Sequence, residues 1–420
     1  MPEPRPVPDQ AARDLIRQRL DINLLVEAGA GSGKTECLAQ RMAAGVLDGA
    51  YEVEQIAAVT FTRKAAAELR GRFQLTLEKA AAAERDPARK ARAQRALRHL
   101  ERLFAGTIHA FCAHLLRERP VEAGVAPGFT ELDEIAQLDQ QRRAWRDYLD
   151  RQRALGSSIL RQLVDAGVKP GDLDHAFEIV CTHADVAFPA GDASRPDAGG
   201  ARAALARFWT RLEALLPGPI APDTSCPLQR SMRKFRRRFR VAALEQPRVV
   251  AELAAEWKGA PKITQNRWAP GGREGQAVKA RIEALFAELQ QVTLPFLEAW
   301  YQYVYRLAMT LLIEGREHAA QARRRAVTLN YGDLLQYAAA LLRDNLEVRE
   351  ALQRKYRWLF VDEFQDTDPI QAEVLLLLAA ASGPDRDWTQ VPLRPGALFV
   401  VGDPKQSIYR FRRADIDIYQ

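Results

Sequence analysis

The stretch LLVEAGAGSGKT, residues 24–35, constrains this chain more than any other: an apolar run, a loop of small residues, then lysine and threonine opening a helical pattern. Small side chains let backbone N–H groups converge on phosphate oxygens, and the following helix turns its positive dipole end to the same point. The pattern predicts a phosphate-binding loop over Ala28, Gly29, Ala30, Gly31, Ser32 and Gly33. Lys34 would reach the β and γ phosphates, and Thr35 would bring its hydroxyl to Mg²⁺. The first loop position is alanine, where the common pattern has glycine.

A second stretch, WLFVDEFQDTDPIQ at 358–371, ends an apolar run in paired carboxylates. Asp362 would hold the metal through its water shell while Glu363 orients and deprotonates an attacking water. The plainer alternative is that the acidic pair caps the next helix. A third, ALFVVGDPKQSIYRFR at 397–412, ends in a polar turn where Gln406 would sense the γ-phosphate; alone, it reads equally as an ordinary loop. Short apolar runs at 23–27, 56–60, 103–107, 358–361 and 398–401 alternate with helical stretches. That alternation predicts an α/β fold with a parallel sheet, which binds ligands beyond the carboxyl ends of its strands.

Between 132 and 324 strand signals fade and helical patterns dominate, broken by Pro- and Gly-rich loops at 188–200, 217–227 and 269–275. Phe296, Trp300, Tyr303 and Leu307 fall on one helix face, where core packing is the ordinary reading and base stacking the alternative. No apolar run approaches the roughly 20 residues of a membrane-spanning helix. The opening MPEPRPVPDQ lacks the apolar core of a secretory signal, so the expected location is the cytoplasm, away from membranes. Cys37, Cys112, Cys181 and Cys226 are too scattered for a metal cage or a disulfide framework. A net charge of +7 points weakly to a polyanionic partner, because 50 of the 61 basic residues are arginine, as compositional bias alone produces.

Together these stretches resemble the UvrD/Rep-like superfamily 1 DNA helicases, most closely the RecB/AddA branch. AVTFTRKAAAELRGR (58–72), GTIHAFCAHLLR (106–117), LNYGDLLQYA (329–338), VDEFQDTDPIQ (361–371) and VGDPKQSIYRFRRADI (401–416) follow the order of that family's motifs. The resemblance implies a RecA-like P-loop NTPase lobe formed by residues 1–131 and 325–420, with 132–324 as an inserted, mostly helical DNA-binding subdomain. It implies ATP and Mg²⁺ as cofactors, single-stranded and partly duplex DNA as substrate, 3′ to 5′ polarity, and, as a possible partner, a second helicase/nuclease subunit. By the same resemblance Gln10 would recognise adenine, and Gln365 and Gln406 would link the γ-phosphate to the DNA groove. Thr62, Arg63, Thr107, His109, Tyr409, Phe411 and Arg412 would lie along single-stranded DNA. Gln10 reads otherwise as an exposed helix start, and His109 as a buried, hydrogen-bonded histidine.

Two basic clusters lie outside those motifs. RSMRKFRRRFR at 230–240 interleaves Arg236, Arg237 and Arg238 with two phenylalanines, and would track a nucleic-acid backbone. The segment 84–102 is either a second such track or a solvated helix face. Family members continue into a second motor lobe that supplies arginine fingers, and nothing up to Gln420 resembles it. The expectation is therefore a portion of a larger helicase that binds ATP and single-stranded DNA without unwinding duplex. The rivals are a non-catalytic DNA-binding or assembly module that retains ATP binding, and an RNA motor.

Overall fold

In the computed structural model of the chain, residues 9–29, 31–183, 186–190, 194–241 and 243–406 are described. The strands among them are β1 (Leu24–Glu27), β2 (Ile56–Thr60), β3 (Phe104–Thr107), β4 (Thr130–Glu131), β5 (Thr328–Leu329), β6 (Trp358–Val361) and β7 (Leu398–Gly402). Five of them form one sheet in the order β1-β7-β6-β2-β3, every pair parallel. This is the α/β fold with the parallel sheet that the apolar runs predicted.

The sheet is apolar on both faces, as a parallel sheet covered by helices must be. Ile56, Ala58, Phe360, Phe399 and Val401 join one core cluster, and their neighbours Ala57, Val59, Leu359, Val361, Leu398 and Val400 join the other. The first cluster is roofed by α2 (Lys34–Asp48) and α3 (Arg63–Ala83), which bring Leu38, Met42, Leu69 and Phe73. The short helix α1 (Gln10–Gln18) adds Ile16, and α4 (Pro87–Arg98) adds Ala96. The second cluster takes Phe111, Leu115 and Leu116 from α5 (Ile108–Glu118), together with residues of helices Tyr331–Asp344 and Pro369–Ala379.

Arginines tie the irregular backbone of this lobe. Arg41, fully buried, donates to the carbonyls of Ile16 (2.7 Å), Arg19 (3.0 Å) and Ile22 (3.0 Å), closing the end of α1 and the run into β1. Arg394 does the same for Gln353 and Leu378.

The chain divides into two compact units, Met1–Ile135 with Arg323–Gln420, and Ala136–Ala322. The seams lie within a few residues of 132 and 324. At them β4 and β5 pair in parallel inside the first unit, a contact too short to read from sequence. Val327, just before β5, holds φ 54°, a left-handed conformation unusual for a β-branched residue. The second unit is helical among its described residues and takes in all but the last three residues of the long helix Arg273–Arg325. Phe296, Trp300, Tyr303 and Leu307 are buried in its core with Trp145, Trp209 and Trp257, so their face packs rather than stacks on bases. No described helix is long and apolar enough to cross a membrane.

One titratable tie fastens α5 to the entry of β6. Glu118 accepts from His114 Nε2 at 2.9 Å and Tyr356 Oη at 2.7 Å, and pairs with Lys355. Burial alone would push its carboxyl up, but the three donors outweigh it and bring the pKa from 4.5 down to about 2. A carboxylate depressed in the folded state stabilises fully above its unfolded pKa, and the contribution fades as pH falls toward the folded one. Glu118→Gln should therefore lower the urea midpoint at neutral pH, and the gap to wild type should close between pH 4.5 and about 2.

Candidate active site

All five strands of the main sheet run the same way, so their carboxyl ends share one edge, and the phosphate loop after β1, Thr62 after β2, Thr107 at the end of β3, the acidic pair after β6 and Asp403 after β7 all leave the sheet there. The Ala28 N–H donates to the Gly402 carbonyl at 3.0 Å, fixing the start of the loop to the end of β7. Gly31 (φ 74°) and Gly33 (φ 87°) turn the loop through left-handed conformations that side chains resist. A Cβ at Gly31 would meet nothing within 4 Å, and one at Gly29 would come 3.9 Å from Asp403 Oδ2. Helix α2 starts at Lys34 with no side-chain cap bond from Gly33, so its first N–H groups remain for an anion. Thr35 sits half-buried in that first turn.

Across the edge, the Asp362 N–H donates to the Val59 carbonyl at 2.9 Å and prolongs the ladder between β6 and β2. Glu363 then takes φ 55°, left-handed without being glycine. Such strain costs on the order of 1–3 kcal/mol and gathers at working sites. Lys34 Nζ lies 2.8 Å from Glu363 Oε2, and Gln365 Nε2 donates to the same oxygen at 2.7 Å. The Gln365 Oε1 in turn accepts the Asp403 N–H at 2.9 Å. One continuous polar chain thus joins the loop after β1, the turn after β6 and the end of β7.

The remaining carboxylates suit a cation. Asp362 is 6% exposed, and burial, then the Glu363 charge, push its carboxyl up to about 6. Asp366 is pushed up to about 6 by the same two causes, and its Oδ1 is buried with no hydrogen-bond partner. The Asp362 carboxylate offers hard oxygen atoms, and Thr35 opens the helix that follows the phosphate loop. A magnesium nucleotide, which asks for few protein ligands, fits this donor set.

Thr62 and Thr107 prove to be N-caps: their hydroxyls accept from Ala65 N (3.1 Å) and Ala110 N (3.2 Å), starting α3 and α5. A hydroxyl that accepts in a cap can still donate to a phosphate. Arg63 and Lys64 stand exposed in the first turn of α3, where the helix dipole disfavours cations and favours an anion. His109 is half-buried with its ring 4.8 Å from that of Tyr331. Burial pushes its pKa down, so the imidazole is neutral at neutral pH and offers an N–H rather than a charge. Gln10 opens α1, its amide donating to Asp14 Oδ1 at 2.9 Å. Ala30, Tyr409, Phe411 and Arg412 lie outside the described residues, as does the side chain of Gln406.

The basic clusters look different in three dimensions. Phe235 is buried against Trp209 and Trp257, and Phe239 is partly buried against Trp209 and Phe235, so both rings are engaged in the core of this unit. Arg236 pairs with Glu213 at 3.2 Å, and Arg238 with Glu252 and Glu256, while Arg237 is exposed. In 84–102, Arg89 pairs with Asp48 and Glu84, Arg95 with Glu52, and Arg102 with Glu54. Arg92 donates to the Leu47 carbonyl. That segment docks α4 on the end of α2.

Sequence reasoning missed Tyr331 and Asp366. The aromatic in LNYGDLLQYA was a usable signal for the first, while Asp366 is one of four acids in VDEFQDTD and only its burial separates it.

A five-stranded parallel sheet with a glycine-rich loop opening a helix after β1 and an acidic pair ending β6, one strand removed from it, defines a RecA-like P-loop lobe. The chain belongs to the UvrD/REP helicase N-terminal domain family, which matches residues 9–420. Among curated proteins it is similar to a subunit of the ATP-dependent helicase/nuclease of Desulfitobacterium hafniense, 28% identical over 473 aligned positions that cover 98% of this chain and 32% of the relative. The corresponding subunits from Streptococcus equi subsp. zooepidemicus and Ligilactobacillus salivarius are each 26% identical, over 94% of this chain and 34% of the relative. The chain spans about a third of the length of the curated relatives it matches.

The pair between Lys34 and Glu363 competes with any phosphate for the ammonium. Glu363→Gln should tighten binding of metal-free ATP roughly fivefold, the equivalent of about 1 kcal/mol for a partly exposed ion pair. Titration in excess chelator measures it, and unchanged or weaker binding would show that Lys34 is not held back by Glu363.

Proposed function

We propose that this chain is the ATP-binding motor lobe, with its inserted helical subdomain, of a cytoplasmic DNA helicase of repair and recombination. The observation that carries the reading is the polar chain from Lys34 through Glu363 and Gln365 to Asp403, which gathers the three segments that nucleotide chemistry needs. Family membership supports it, and so does the relatives' description as subunits of an ATP-dependent helicase/nuclease. The same description supports a partner in the form of a second subunit.

Lys34 takes the β and γ phosphates together with the backbone N–H groups of 28–33, and Gln10 takes the adenine. Thr35 and Asp362 would hold Mg²⁺, which would supply charge neutralisation at the phosphates. Binding phosphate draws Lys34 from Glu363, whose carboxylate is then released to orient a water and accept its proton. Gln365 keeps that carboxylate in place and passes its position to the end of β7; by family resemblance Gln406, beyond that strand, would sense the γ-phosphate.

Single-stranded DNA runs along the sheet's carboxyl edge. Thr62, Arg63 and Thr107 bond its phosphates, and the neutral His109 with Tyr331 offers an aromatic surface to a base. By family resemblance Tyr409, Phe411 and Arg412 would be further DNA contacts. In the helical unit, taken by itself, Arg237 is exposed while Arg236 and Arg238 are ion-paired. Polarity of 3′ to 5′ follows the family resemblance.

Two measurements test the reading. Lys34→Ala should weaken Mg·ATP binding by at least about tenfold, since a charge-assisted bond to phosphate is lost, and circular dichroism should show the variant still folded. Equal affinity in the folded variant rejects the phosphate role. The double substitution Arg63→Ala, Lys64→Ala should weaken oligo(dT) binding and flatten its dependence on log salt by about 0.7 for each phosphate contact removed. An unchanged slope rejects that track.

A further inference from the structure

Arg13 has no part in the scheme above, yet its guanidinium reaches from α1 to the phosphate loop. Its Nη2 donates to the Ser32 carbonyl at 3.0 Å, and Nη1 lies 4.0 Å from Cys37 Sγ in the first turn of α2. A Cβ added at Gly33 would come within 3.9 Å of Nη1. On its own helix the group is braced by Asp9, whose Oδ2 accepts from Nε at 3.0 Å and lies 2.9 Å from Nη2. Gln10 and Arg13 are three residues apart on α1 and so share a face. The far end of α1 is fixed separately by Arg41, through the carbonyls of Ile16 and Arg19. The end that carries Gln10 is held to the loop by Arg13.

We propose that Arg13 is a positioning residue for base recognition: it sets the spacing between the face of α1 that carries Gln10 and the loop that holds the phosphates. The inference rests on the nucleotide reading and deepens it. A nucleoside triphosphate has a nearly fixed distance between base and phosphates, so two separate grips reinforce each other only when the protein holds them at that distance. A guanidinium fork bonded at once to the helix and to a loop carbonyl is a stiff spacer of the right kind, since its plane fixes the angle between partners.

Calorimetric titration of the chain with Mg·ATP, Mg·GTP and inorganic tripolyphosphate tests the proposal. In Arg13→Ala, ATP affinity should fall roughly tenfold and the preference for ATP over GTP should shrink, while tripolyphosphate affinity stays within about twofold. Arg13→Lys, which keeps the charge and one donor but not the fork, should recover part of the ATP preference. It carries the comparison if the alanine variant melts early. Equal losses for ATP and tripolyphosphate would overturn the proposal in favour of direct phosphate contact, and unchanged ATP affinity would reduce Arg13 to a surface pair. A wild-type chain that binds tripolyphosphate but discriminates no base also overturns it. A wild-type chain that binds neither removes the nucleotide site itself, and the inference falls with it.

Discussion

The uniform direction of the five-stranded sheet is the constraint on which the rest depends. A parallel ladder forces each strand to return by a crossover, so all carboxyl ends open on one edge and the connecting segments start there. The register is tight enough that Glu27 lies beside Gly402, Val59 beside Val361, and Thr60 beside Thr107. The loop, the acidic turn and the two threonine caps are brought to one rim by backbone pairing before any of their side chains meet.

On that rim Glu363 is the electrostatic centre. Its charge, after burial, raises both Asp362 and Asp366, and Lys34 opposes it in each case. A single backbone residue in a left-handed conformation places the carboxylate against Lys34 and Gln365. The local strain is offset by that network: two donors on one oxygen, and a third bond passed on to β7. Glycine at 363 would relieve the backbone and remove the group that organises the other charges.

The basic composition reads differently once partners are known. Arg41, Arg349 and Arg394 each donate to backbone carbonyls where the chain changes direction. Others, such as Arg89, Arg236 and Arg238, are ion-paired. A five-donor planar cation with a long apolar stem suits this task, because it can satisfy several otherwise unpaired acceptors at once. Several of the arginines that suggested a polyanionic partner thus hold backbone or pair with acids, and among the described residues Arg63 and Lys64 stand exposed at the opening of α3.

The sequence by itself determined what is local: which runs are strands, because they are short and apolar on both faces; where the phosphate loop lies, because small residues, lysine and threonine are contiguous; and which carboxylates end β6. It also carried the family, since the motifs keep their order. Only the tertiary structure decided what depends on residues far apart in the chain. Strand order is one case, because every strand run is similarly apolar and none encodes its neighbour. The Lys34–Glu363 pair, 329 residues apart, is another. The pairing of Tyr331 with His109, the inward turn of Phe235 and Phe239, and the neutralisation of Arg236 and Arg238 follow the same logic. Each depends on which side of an element meets which partner, and a free energy that arises from distant contact leaves no pattern in a local window of sequence.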